Sequence, residues 1–149
     1  METYTEEVGS KLNELLEKTY DAEKGFKNAA ENIDNSSLKG YFERKAKERY
    51  DFGHQLKSEI RNMGQEVDKG GSVTGSVHRA WMDVKALFSG DNEESMLEES
   101  IRGEKAAIEE YQNILNETTL PGSTRTILMN QKSQIESGLN KIKRLEDVH

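Results

Sequence analysis

The stretch Phe42-Glu43-Arg44-Lys45-Ala46-Lys47-Glu48-Arg49-Tyr50-Asp51-Phe52-Gly53-His54-Gln55-Leu56 decides the fold class. Phe42, Ala46, Phe52 and Leu56 recur at helical steps and share one face, while charged residues fill the remainder. Arg49 falls on that same face, in the middle of the apolar stripe. Fifteen residues of this kind make one side of an amphipathic helix that has a cation in its packing surface.

Moving outward, the period continues from Leu38 to Ile60 and Met63, and Gly64 marks a stop. Asp34-Asn35-Ser36-Ser37 ahead of it is a run of turn formers with a helix N-cap. Before that turn, Val8, Leu12, Leu15, Leu16, Phe26, Ala30 and Ile33 define a first helix. Beyond Gly64, residues 65–75 are polar and glycine-rich and read as a crossover. A short apolar segment, Ser76 to Phe88, predicts an extra helix docked by Trp81. Asp91 with Glu94 resembles a capping box. It opens a third long helix through Leu97, Ile101, Ala107, Ile108, Tyr111, Ile114 and Leu115. Thr118 to Gly122 is a turn, and Leu128, Ile135, Leu139, Ile142 and Leu145 carry a fourth helix. Two hairpins joined by one long connection predict an all-α, antiparallel four-helix bundle in a single domain, residues 1–149.

The composition agrees. Hydrophobic and charged residues each make up 33%, with one proline, which suits long amphipathic helices. The net charge of −7 comes with interleaved signs and no basic stripe, so nucleic acid is not an expected partner. The absence of cysteine excludes disulfides, thiolate metal sites and cysteine nucleophiles. The acidic start, METYTEEVGSKL, has no apolar core of a signal peptide, and no apolar run is long enough to span a bilayer. A cytoplasmic location is the expectation, without a membrane partner.

Each stripe has a polar residue at mid-helix. The inward series place Glu23 on the first helix, Arg49 on the second, Glu104 on the third and Gln131 on the fourth. Glu23 and Arg49 stand at similar distances from the turn near Asn35 and are expected to meet. An arginine can hold a buried carboxylate by two parallel hydrogen bonds. Tyr20, Tyr111 and Gln131 are candidate donors to the surplus negative charge. Gly25, Gly53, Gly103 and Gly138 lie near the same level, implying close backbone approach, or, for Gly25 and Gly103, tolerated surface positions. Asp51 and His54 mimic a ligand pair but face away from the core; His78 reads as a surface or docking residue.

Phe42-x-x-x-Ala46-x-x-Arg49-x-x-Phe52-Gly53-x-x-Leu56 resembles the rubrerythrin and bacterioferritin pattern F-x-x-x-A-x-x-E-x-x-H-A-x-x-L. Glu104-x-x-Ala107-x-x-x-Tyr111 resembles that family's E-x-x-A-x-x-x-Y. Nearly the whole chain resembles a group of uncharacterised bacterial ferritin-like four-helix-bundle proteins, a domain of unknown function. The residues concerned are Asp21 to Phe26, Arg49 to Phe52, Gly71 to Trp81 and Arg102 to Ala107. The resemblance implies a ferritin-like fold. It also implies that Arg49, Phe52 and Leu139 replace former di-iron ligands, Arg49 standing at the Glu and Phe52 at the His of the family's E-x-x-H, while Glu104 keeps the bridging glutamate. Arg49 would then act as a metal surrogate between Glu23 and Glu104, because a guanidinium cannot ligate and repels a cation.

Two functions follow as expectations. One is a non-catalytic helical protein, without cofactor, that associates with itself or with another protein. The other is a metal-binding ferritin-like oxidase or peroxidase that holds iron or manganese through Glu23, Glu104 and Glu136. A small anion or lipid lodged beside Arg49 is a third and weaker reading.

Overall fold

The computed structural model describes residues 4–67, 93–117 and 119–148. Among these the chain is all-α, with four long helices and no strand: α1 Tyr4–Glu31, α2 Ser36–Asn62, α3 Glu93–Glu117 and α4 Gly122–Val148. The expected short helix over 76–88, Trp81, His78 and Asp91 lie outside the described residues. The chain divides into two compact units, Met1–Glu93 and Glu94–His149.

In the first unit, α1 opens with Glu6 and Glu7 in its first turn, where carboxylates complement the positive end of the helix dipole. Asn35 caps α2. Its Oδ1 accepts hydrogen bonds from the backbone N–H groups of Ser37 at 3.0 Å and Leu38 at 3.2 Å. Those donors would otherwise be orphaned by the helix start. At the far end Gly64 adopts φ +75°, a left-handed conformation that costs a residue with a Cβ. The Gly64 N–H donates to Arg61 O at 2.9 Å and the Gln65 N–H to Ile60 O at 3.1 Å. That pair of bonds is a Schellman stop.

The contacts between α1 and α2 run in opposite order along the two helices. Phe26 stacks on Phe42 with ring centroids 6.2 Å apart, near the turn. A Cβ on Gly53 would lie 3.6 Å from the Tyr20 ring and 3.7 Å from Leu16, halfway down. At the open end the Asn13 amide donates to Glu66 O at 2.9 Å. There a Cβ on Gly9 would come within 2.6 Å of the Gln65 side chain. The two helices therefore form an antiparallel hairpin. Its buried side chains include Leu12, Leu16, Leu38, Phe42, Leu56 and Ile60.

In the second unit, Pro121 precedes α4, where its missing N–H leaves no helical bond unmade. Its carbonyl accepts from the Arg125 N–H at 3.0 Å. Short helix–helix connections return the chain as a neighbour, and the Tyr111 hydroxyl on α3 donates to Gln131 Oε1 on α4 at 2.6 Å. Met96, Leu97, Leu128, Ile135 and Ile142 are buried.

Candidate functional site

The apolar period on α2 places Arg49 on the buried face, and the residue is only 3% exposed. Its Nη1 donates to Glu48 Oε1 at 2.9 Å. Its guanidinium carbon lies 5.5 Å from the Phe26 ring centroid and 5.7 Å from that of Phe52. Both distances are within cation–π range. The same Glu48 oxygen accepts from Lys45 Nζ at 2.6 Å. One partly exposed carboxylate thus serves two buried cations on its own helix, and neighbouring aromatic faces share the positive charge of one of them.

Lys45 and Glu59 are buried charges that the sequence reading missed. A signal was present. The positions 38, 42, 45, 49, 52, 56 and 59 alternate steps of four and three, a regular packing series that includes both. Asp21 on α1 is buried as well, with no comparable signal in its spacing.

Glu23 is half-buried, and its carboxylate holds Lys27 at 2.9 Å. That hydrogen bond, with the Coulomb attraction of the same carboxylate, raises the Lys27 ammonium above its ordinary value of 10.5 against a small opposing effect of burial. Tyr20 packs by its ring beside Gly53, and Lys57 Nζ sits 5.1 Å from the ring centroid.

In the second unit Glu104 is 1% exposed and Gln131 is fully buried. The structure brings Tyr111 and Gln131 together through their hydrogen bond, in which Gln131 accepts. Leu139 is buried; Glu136 is exposed on α4 and pairs with Lys132 at 3.4 Å. Gly103 is exposed, with open space where its Cβ would be, whereas Gly25 and Gly138 are buried.

Iron or manganese in a carboxylate-bridged pair requires several anionic or imidazole donors. Arg49, Phe52 and Leu139 offer none. Among the described residues no group of three or more histidines, aspartates or glutamates is placed to hold a metal ion. The side chains at these positions do not fit a ferritin-type metal pair. The surface pair Asp51 and His54 is exposed, as its helical angle implies. Asp51 takes Lys47 at 3.3 Å, and the His54 ring meets Tyr50 edge-on at 4.6 Å.

A family model described as a domain of unknown function (DUF2383) matches residues 7–117. The chain belongs to that family. The DUF2383 match includes Glu23, Arg49, Phe52, Glu104 and Tyr111, and it stops at the last residue of α3, before Gln131, Glu136 and Leu139. No curated protein matches the chain. Among the described residues no helix is long and apolar enough to cross a membrane.

Proposed function

We propose that this DUF2383 chain is a non-catalytic, ferritin-like antiparallel four-helix protein. In this reading its metal-ligand positions have degenerated into buried polar and apolar side chains, and it acts in the cytoplasm through association rather than turnover. The observation that carries the reading is Arg49. It stands where the ferritin-like pattern asks for a carboxylate ligand. Its buried cation is engaged by Glu48 and by the rings of Phe26 and Phe52. A guanidinium remains protonated throughout the physiological range, so it neither ligates nor acts as a general base.

Metal analysis of the full chain, purified without chelator and supplied with iron and manganese, tests this directly. Neither metal is expected at stoichiometric level. Stoichiometric metal would overturn the reading, and its loss from Glu104→Ala would then locate the site.

A further inference from the structure

The chain leaves α2 in a fixed direction. Gly64 turns left-handed at φ +75°, and the amides of Gly64 and Gln65 close the helix on Arg61 O and Ile60 O. This stop sends the next two residues back onto α1, where Gly9 and Asn13 receive them one helical turn apart on one side. The stem of Gln65 lies on the bare backbone of Gly9. A Cβ at Gly9 would stand 2.6 Å from Gln65 Cγ and 3.0 Å from Gln65 Cβ, so position 9 has no room for a side chain. Gly9 is buried and Gln65 half-buried. One turn on, the Asn13 amide donates to Glu66 O at 2.9 Å, joining residues 53 apart in sequence. All of these residues belong to the first compact unit.

Each side of this contact is weak by itself. Gly9 sits in the second turn of α1, and glycine is the poorest helix former but proline. Gln65 and Glu66 lie past the end of α2, where the helical ladder has stopped. Helix ends of this kind open more readily than helix centres. Yet glycine at position 9 is what lets the Gln65 stem reach the helix, and the stem in turn covers that glycine. We propose that Gly9, Asn13, Gln65 and Glu66 form a clasp, a conformational device that couples the first turns of α1 to the exit of α2. The two chain segments close together and open together, and the connection towards α3 departs from the side of α1 while the clasp is shut. The inference goes beyond the proposed function and does not depend on the fate of the metal-ligand positions.

Amide hydrogen exchange of the full chain, followed by NMR and expressed as protection factors, reads both sides of the clasp at once. Gly9→Ala drives a methyl into the Gln65 stem, and it should lower protection about tenfold at residues 8–13 and at the Gly64 and Gln65 amides together. Protection at the centres of α1 and α2 should hold. In a Gln65→Gly background the same Gly9→Ala change meets open space, so only the helix preference of alanine remains, and protection at residues 8–13 should rise. A change of sign between two backgrounds is the mark of direct coupling. Asn13→Ala removes the other tie and should lower protection on both sides. If Gly9→Ala does not fold, Gln65→Gly alone carries the test, since it should lower protection at residues 8–13 on the far side of the contact. The proposal is overturned if Gly9→Ala acts alike in both backgrounds. It is overturned equally if Asn13→Ala loosens one side only, or if Gln65→Gly leaves residues 8–13 as protected as in the parent.

Discussion

Arg49 is a guanidinium at 3% exposure, and removing such a group from water costs several kcal/mol unless its charge and donors are engaged. Glu48 at 2.9 Å and two aromatic faces engage it. Arg49→Met keeps a long apolar stem against Phe26 and Phe52 and removes the charge. Glu48 keeps Lys45 at 2.6 Å and some access to solvent, so the cost belongs at the lower end for a broken buried pair, about 3 kcal/mol. Urea unfolding of the full chain, with an unchanged m-value, is the measurement. A midpoint equal to that of the parent would show that the buried cation contributes no stability. Arg49→Lys should recover part of the loss, since an ammonium keeps the charge but lacks the planar fork and its stacking. Arg49, Glu104 and Gln131 were legible because each stands on a series of three- and four-residue steps between apolar neighbours. Glu23 stands on such a series too, but the period fixes the direction of a Cα–Cβ bond and not where a flexible side chain ends. Its carboxylate ends beside Lys27 on the same helix. Glu48 was not legible as a partner, because its role depends on two cations that become buried only when the helices pack.

Helix ends were readable for a local reason. A cap is made by residues within a few positions of one another, so Asn35 and Gly64 announce themselves without tertiary information. Glycines within helices are harder, because sequence does not tell a glycine that admits a neighbour from one that faces water. The structure separates them. Gly53 is buried, with Tyr20 and Leu16 3.6 and 3.7 Å from the place of its Cβ, whereas Gly103 is exposed on α3 with nothing within 4 Å; Gly64, past the end of α2, holds φ +75°. Gly103→Ala should therefore stabilise the protein by up to about 1 kcal/mol, the propensity gain of alanine in a helix interior. Gly64→Ala should destabilise it by about 1–2 kcal/mol, the cost of a left-handed conformation with a Cβ. Thermal unfolding followed by circular dichroism should move the two midpoints in opposite directions. A loss of stability in Gly103→Ala would mean that this face of α3 is covered. Gly9 is a case that no local signal reveals: its neighbour Gln65 is distant in sequence and arrives only when α2 has run back along the whole of α1.

For the whole molecule, charge is the property the sequence states most directly, since 28 acidic residues stand against 21 basic ones in any fold. The structure adds where the cations turn. Lys27 takes Glu23, Lys47 takes Asp51, Arg102 takes Glu99 and Lys132 takes Glu136, each three or four residues away on its own helix. Exposed pairs of this kind contribute at most about 1 kcal/mol each to stability. Their larger consequence is that a carboxylate stands beside each of these four cations. Binding to a phosphate backbone grows with the number of cations that can displace condensed counterions, and it weakens steeply as salt rises. A duplex would meet an acid beside each of these four bases, on a chain whose net charge is −7. Fluorescence anisotropy of a labelled duplex titrated with the protein at about 50 mM salt should therefore show no binding in the micromolar range. A micromolar affinity that fell about tenfold or more on moving to about 200 mM salt would reveal a cationic track and overturn the prediction.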